Sequence, residues 1–176
     1  ELKLSGMQSA LLSTAETTAM VFLIFIGADM MNATLALTEM PKLIAEWVTH
    51  LPIPDLSIVI MVLVLYVLLG CVMDELSMLL LTIPVIFPAI MGLDLWGLNA
   101  ESKAIWFGIL ALMVVEVGLI TPPVGMNVFI ISAMAKNVQM KEIFKAILPF
   151  LASDIIRITL LVFFPGIALI ALRVFS

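Results

Sequence analysis

Two polar interruptions of otherwise apolar sequence contain groups that could bind a small cation. The first is GLITPPVG at 118–125, in which two prolines are adjacent. A proline has no N–H to donate to the carbonyl four residues earlier, so this pair is expected to free the carbonyls of Gly118 and Leu119. Free carbonyls beside the Thr121 hydroxyl are hard oxygen ligands, and such ligands suit a hard cation such as Na⁺. A structural kink is the alternative interpretation.

Carboxylates form the second set of candidates. Asp74 and Glu75 lie in the polar turn GCVMDE, and Glu116 lies two residues before the proline pair. A charged side chain near the middle of a bilayer costs ~3 kcal/mol or more, so each is a functional candidate. Two alternatives stay open. The turn carboxylates could reach an aqueous face, and Glu116 could bind an ion or proton or only pair with a neighbour.

Asp154 and Arg157 stand three residues apart in the last apolar segment, a spacing that predicts an ion pair on one helix. We interpret this pair as structural. A rival hypothesis is an intramembrane aspartyl protease that uses Asp74 with Asp154, since such chemistry needs two neighbouring carboxylates. Nothing in the spacing brings these two together, and the paired prolines would have no role. A structural or channel-forming fragment is a third possibility.

Composition identifies the solvent of most of the chain as lipid. Of 176 residues, 64% are hydrophobic and only 12% are charged, and the mean hydropathy is +1.27. A soluble domain of this size could not bury so much apolar surface, so we predict an all-α polytopic membrane protein. The single histidine, the single cysteine and the absence of glycine-rich phosphate loops argue against zinc, nucleotide and nucleic-acid binding. We therefore expect no bound cofactor and no transition metal, with Na⁺ as the only metal.

The apolar and amphipathic periodicity predicts six elements that position these groups. Three are membrane helices, one of them broken, two are interfacial helices, and one is a helical hairpin. In chain order they are a membrane helix at 11–37, an interfacial helix at 39–50, the hairpin at 56–91, the broken membrane helix at 105–135, a second interfacial helix at 138–147 and a membrane helix at 149–174.

The hairpin is predicted to be re-entrant because its arms are short. The uncharged stretch Leu56–Leu69 would be about 21 Å long as a helix, which is less than the ~30 Å hydrocarbon core. Pro84 and Pro88 bend the returning arm. Two ordinary full spans are the alternative.

The segment 105–135 has the opposite problem. As a straight helix it would be about 46 Å long, too long for one upright span, and a break at 118–125 resolves the difference. The first half-helix would direct its negative end at the break, and the second half-helix would direct its positive end there. Those ends favour a cation and a carboxylate respectively.

Basic residues predict the orientation. The 136–145 connection contains Lys136, Lys141 and Lys145. By the positive-inside rule it faces the cytoplasm, and the hairpin then enters the membrane from the periplasmic side.

At this point the motifs resemble a known family. GLITPPVGMNVFI, GCVMDELSMLLLTIPVIFP and the closing AILPFLASDIIRITLLVFFPGIAL are similar to the large membrane subunit of TRAP (tripartite ATP-independent periplasmic) transporters. The resemblance covers nearly the whole chain and corresponds to the C-terminal half of that subunit, which is one of two inverted repeats. The start at Glu1 rather than Met agrees with a fragment or a processed chain.

The resemblance implies a sodium symporter of the elevator type in a bacterial inner membrane. It would import organic acids, such as a C4-dicarboxylate or a sialic acid, delivered by a periplasmic binding protein, and would work with a small membrane subunit and the missing N-terminal half. It also implies a sodium site where the hairpin tip meets the broken helix. The implied sodium ligands are Gly70, Cys71, Met73 and Asp74 at the tip and Gly118, Thr121, Pro122, Val124 and Gly125 at the break. Weaker candidates for contact with the substrate are Ser77 and Asn127.

Overall fold

The computed structural model describes residues 4–122, 125–134 and 138–170, and its regular structure in these ranges is entirely helical. The apolar composition makes helices the expected element, because a helix satisfies its own backbone hydrogen bonds in lipid. The helices are α1 (Leu4–Leu37), α2 (Met40–Thr49), α3 (Asp55–Gly70), α4 (Glu75–Met91), α5 (Ala100–Ile120), α6 (Met126–Met134), α7 (Met140–Phe163) and α8 (Pro165–Ala168).

Within the described ranges, three stretches are long and apolar enough to cross a bilayer: Gly6–Leu37, Ala100–Ile120 and Met140–Phe163. Only 6% of the first and 11% of the third are buried, whereas 56% of the middle one is buried. An exposed apolar helix is stable only where lipid or another protein surface replaces water. The prediction of an all-α polytopic membrane protein is therefore confirmed.

Helix α5 is the centre of the packing. Trp106, Phe107 and Leu110 have no exposed surface, and α3 lies along the same helix. Helix α7 packs on another side of α5, where the Trp106 indole N–H donates to the Leu161 carbonyl at 2.8 Å. The segment predicted to contain the broken helix is thus the most enclosed part of the described chain.

The arms of the hairpin are α3 and α4, joined by the turn 71–74. The Tyr66 and Thr82 hydroxyl oxygens lie 3.1 Å apart, and Thr82 donates its proton to the Met78 carbonyl at 2.7 Å. Tyr66, which is fully buried, therefore acts as the donor between the two arms. Helix α4 packs mainly on α2 and α1 rather than on α3.

Lys103 stabilises the far end of the hairpin. Its side chain is 8% exposed, and its Nζ donates to the Met91 carbonyl at 3.2 Å and to the Leu93 carbonyl. These acceptors lie at the C-terminal end of α4, where a helix favours positive charge. Lys103 belongs to α5, so this contact fixes the start of α5 against the end of α4.

Helix α5 begins earlier than the predicted start at residue 105. The Asn99 side chain accepts from the Ser102 backbone N–H at 2.8 Å and caps the helix, so α5 starts at Ala100. Its 21 residues make α5 about 31 Å long, which is already a membrane-spanning length. The interruption therefore follows a full-length helix, rather than dividing a span from 105 to 135 in two equal halves.

One continuous helix, α7, occupies 140–163, where the sequence analysis placed an interfacial helix at 138–147 and the start of a membrane helix at 149. Pro149 lies inside α7 and removes a single backbone donor without ending the helix. The helix ends instead at Phe163, and the short helix α8 starts at Pro165. Residues 171–174 of the predicted last span lie outside the described ranges.

Candidate functional site

Helix α5 ends at Ile120 and α6 begins at Met126, and the described residues Thr121, Pro122 and Gly125 lie outside both helices. Thr121 adopts an extended conformation, as expected for a residue that precedes a proline. Its N–H donates to the Gly118 carbonyl at 3.1 Å, and its hydroxyl donates to the Val117 carbonyl at 2.6 Å. The prediction that Gly118 presents a free carbonyl is therefore corrected, because Thr121 takes the place of the missing proline donor.

Gly125 ends the interruption. Its φ is +55°, a conformation that L side chains rarely adopt, and an added Cβ would lie 3.3 Å from both the Thr121 carbonyl oxygen and the Phe144 ring. The Gly125 carbonyl then accepts from the Val128 N–H at 2.8 Å and starts α6. The close approach to Thr121 explains why glycine is needed here. Val124, another implied site residue, lies outside the described ranges.

The hairpin tip and the interrupted helix meet backbone to backbone. A Cβ added to Gly118 would lie 2.8 Å from the Gly70 Cα and 2.8 Å from the Val67 carbonyl oxygen. A Cβ added to Gly70 would lie 3.1 Å from the Val115 carbonyl oxygen. Gly70 is the last residue of α3, and Gly118 lies two residues before the end of α5. Glycine is therefore required at position 118, and a side chain at position 70 would need the α5 backbone to shift.

Cys71 extends the same contact. Its thiol is 2% exposed, and its Sγ donates to the Thr121 carbonyl at 3.6 Å. The structure thus brings together four residues that the resemblance assigned to one site: Gly70, Cys71, Gly118 and Thr121.

This contact also places two helix C-termini side by side, those of α3 and α5. Each C-terminus carries roughly half a negative charge from its aligned peptide dipoles. The electrostatic potential between them favours a cation. No group of three or more His, Cys, Asp or Glu side chains is arranged to hold a metal ion in the part of the chain that the structure describes. A cation here would therefore depend on backbone and hydroxyl oxygens.

Other implied residues have separate surroundings. Asp74 is the N-cap of α4, and its Oδ1 accepts from the Ser77 backbone N–H at 3.0 Å. Met73 is half-buried against the core, and Pro122 is exposed. Asp74 and Ser77 are therefore engaged with each other at the start of α4.

A polar cleft of about 380 Å³ opens beside the break. It is bordered by the first turns of α4 and α6, the last turns of α5 and the middle of α7. The polar residues that line it are Glu75, Glu116, Asn127, Asp154 and Arg157. From sequence, only the proximity of Asp154 to Arg157 was predicted, and nothing in the sequence placed Glu75, Glu116 and Asn127 beside that pair.

The predicted ion pair between Asp154 and Arg157 is confirmed, with 2.5 Å between Asp154 Oδ1 and an Arg157 guanidinium nitrogen. The Asp154 side chain is 24% exposed and that of Arg157 is 60% exposed. The pair therefore lies at the cleft, with its positive member the more accessible.

A second cavity, of about 370 Å³, is apolar and lies between α3, α5 and α7. Thr121 lines this cavity, and Val117 lines both cavities. The last turn of α5 is therefore the wall between a polar cleft and an apolar one.

The chain matches the sequence model of a known protein family. Residues 1–167 match the model of the family described as "Tripartite ATP-independent periplasmic transporter, DctM component". No solved structure matches the chain.

Curated relatives carry related descriptions. The C4-dicarboxylate TRAP transporter large permease protein DctM of Pseudomonas aeruginosa is 28% identical over 169 residues, which are 96% of this chain and 38% of the relative. The sialic acid TRAP transporter large permease protein SiaM of Vibrio cholerae is 26% identical over 176 residues, 99% of this chain and 39% of the relative. The isethionate TRAP transporter permease protein DctMQ of Oleidesulfovibrio alaskensis is 26% identical over 167 residues, 95% of this chain and 25% of the relative.

The chain therefore spans about two fifths, or less, of the length of these relatives. Their descriptions name permeases, which are transporters and not enzymes. With the family match over residues 1–167, the interrupted helix and the apolar spans, the chain belongs to the DctM family of TRAP transporter large permeases.

Proposed function

We propose that this chain is the C-terminal half of a sodium-driven importer of organic acids in a bacterial inner membrane. The relatives named for C4-dicarboxylate and sialic acid support a carboxylate substrate. The words "tripartite" and "periplasmic" in the family description support a second membrane subunit and a periplasmic binding protein as partners. A second half, with its own hairpin and broken helix, would complete the transporter.

One observation carries the proposal: the backbone contact between Gly70 at the hairpin tip and Gly118 beside the break. It gathers the C-termini of α3 and α5 at a point where the chain is no longer helical. Leu119 has no helical donor, because residue 123 is a proline. Its carbonyl, the Thr121 carbonyl and the lone pairs of the Thr121 hydroxyl are the oxygens we assign to Na⁺, which moves as cargo.

The arms of the hairpin support the mechanism we propose. At 16 and 17 residues, α3 and α4 are each about 25 Å long, which is shorter than a ~30 Å hydrocarbon core. A re-entrant hairpin entering from the periplasmic side, with the 136–145 connection in the cytoplasm, would present its tip to the interior of the transporter. Movement of the tip and the break together would then carry the ion and the substrate in an elevator mechanism.

The protease alternative has less support. Asp154 is paired with Arg157, and Asp74 caps α4. Both carboxylates are therefore engaged in separate local interactions, whereas an aspartyl dyad requires two carboxylates that share a proton. The relatives are also described as permeases.

The test is uptake of labelled succinate and labelled sialic acid into proteoliposomes. The complete large subunit is reconstituted with its small partner and its binding protein, and external sodium is varied. Thr121→Ala removes a proposed ligand and the donor to the Val117 carbonyl, so we expect the half-saturating sodium concentration to rise at least about fivefold. Asp74→Ala tests the carboxylate of the hairpin tip in the same assay.

Thr14→Ala is the matched control, because the Thr14 hydroxyl makes the same bond to a carbonyl four residues earlier on exposed helix α1. Thr121→Ser keeps the hydroxyl and should retain the wild-type sodium dependence. Unchanged sodium dependence in both Thr121→Ala and Asp74→Ala would overturn the site assignment. Uptake by the wild type without a sodium gradient would overturn the proposed coupling.

A further inference from the structure

We propose that the polar cleft is the seat of the substrate's carboxylate and that Arg157 is its direct contact. This inference rests on the proposed function, because it assigns the anion-binding group of the same transporter. It differs from the sequence interpretation, in which Asp154 and Arg157 form only a structural pair.

The guanidinium of Arg157 has donors to spare. It carries five N–H groups in a fixed fork, and the contact that the structure describes for it is one hydrogen bond to Asp154 Oδ1. Asp154 is the less exposed of the two, so it acts as a positioning residue that orients the fork. Arg157 lines the cleft, and the fork of its remaining N–H groups matches the geometry of a carboxylate, which accepts two parallel bonds from one guanidinium.

Two helix N-termini add positive potential to the cleft. Glu75 lies in the first turn of α4 and Asn127 in the first turn of α6, and both line the cleft. The N-terminus of a helix carries roughly half a positive charge. The exposed Asn127 amide supplies a neutral donor beside Arg157.

The net charge of the residues that line the cleft explains why an anionic substrate would bind there only together with a cation. The lining has one positive side chain, Arg157, and three negative ones, Glu75, Glu116 and Asp154, a net charge of −2. Charges in a membrane interior must be compensated. Cations bound at the adjacent break would offset Glu75 and Glu116 and leave Arg157 to attract the substrate. Cation binding would therefore raise the affinity for the carboxylate.

Binding and uptake are both measured on the complete transporter. In the binding assay, the purified complex in detergent is heated with succinate, sialic acid or uncharged glycerol, in sodium chloride or choline chloride. We expect one of the two acids to stabilise the wild type in sodium, and Arg157→Gln to lose this stabilisation. In the uptake assay, Arg157→Gln should raise the KM at least about tenfold and leave the half-saturating sodium concentration unchanged.

Two further variants separate recognition from folding. Arg157→Lys keeps the charge without the fork, so its KM should lie between those of the wild type and Arg157→Gln. The exchanged pair Asp154→Arg with Arg157→Asp restores an ion pair on α7 and should restore the melting temperature, but not uptake. Lys145→Gln is the control, because it removes an exposed positive charge from the same helix at a position outside the cleft.

Each failure has its own signature. The assignment of Arg157 would be overturned if Arg157→Gln had the wild-type KM, or if the exchanged pair recovered uptake. The proposed function would still be supported in that case, provided that the wild type showed sodium-driven uptake. If neither acid stabilised the wild type, the assignment of the polar cleft as the carboxylate-binding site would also be overturned. Carboxylate binding without sodium-dependent uptake would instead contradict the proposed function.

Discussion

The Asn32 side chain on α1 donates to the Leu80 carbonyl on α4 at 3.2 Å. In a regular helix the Leu80 carbonyl would accept from the N–H of residue 84. Residue 84 is a proline and has no N–H, so it cannot donate this bond. A polar side chain on a neighbouring helix therefore supplies the donor that the helix itself lacks. The bond adds a polar contact to the packing of α1 against α4.

Asn32 and Pro84 should consequently be coupled in a double-mutant cycle. Asn32→Leu leaves the Leu80 carbonyl without its donor, whereas Pro84→Ala restores a helical N–H to it. We expect Asn32→Leu to cost about 1 kcal/mol more in the proline background than in the alanine background. The measurement is unfolding in mixed detergent micelles. Equal costs in both backgrounds would show that the bond contributes nothing.

A similar bond joins Trp106 of α5 to the Leu161 carbonyl in the last turn of α7, four residues before Pro165. Pro165 cannot donate to the Leu161 carbonyl, which accepts instead from the Trp106 indole N–H at 2.8 Å. Trp106→Phe keeps most of the ring and removes the donor, so we expect a loss of about 1–2 kcal/mol in the same unfolding assay. Pro165→Ala should recover part of that loss by offering a backbone N–H. If Pro165→Ala recovered none of the stability lost in Trp106→Phe, the loss would be due to ring packing alone.

The two glycines of α5 offer a matched comparison. A Cβ at Gly118 would lie 2.8 Å from the Gly70 Cα, whereas a Cβ at Gly108 would meet nothing within 4 Å. Gly118→Ala should therefore destabilise the protein by about 2 kcal/mol or more and raise the half-saturating sodium concentration. Gly108→Ala should be neutral or stabilise by about 0.5–1 kcal/mol, because alanine is the better helix former. Similar melting temperatures for the two variants would contradict the close approach.

The sequence was most informative where backbone chemistry alone decides the structure. Paired prolines after Thr121 remove two successive helical donors, and the end of α5 at Ile120 agrees with that local property. The ion pair between Asp154 and Arg157 is equally local, since residues three apart on a helix are neighbours. The resemblance added the expectation that the hairpin tip and the break meet, which neither stretch encodes by itself.

The remaining features depend on contacts between distant segments. Thr121 closing the last turn of α5 depends on a rotamer that the local sequence does not specify. The early start of α5 was marked by Asn99, but a cap signal inside a polar loop is weak until the helix is seen to pack. Glu75, Glu116 and Arg157 come from three helices, so only tertiary packing brings them to one cleft.

The meeting of Gly70 with Gly118 has a mechanical consequence. The backbones of Gly70 and Gly118 are in direct contact, with no side chains between them that could change rotamer. Rotamer changes therefore cannot let α3 and α5 move relative to each other at this contact. Any displacement of the tip of α3 must drag the end of α5 along the same path. Under the proposed function, a sodium ion bound at this contact would reach either side of the membrane through surfaces that open elsewhere in the molecule.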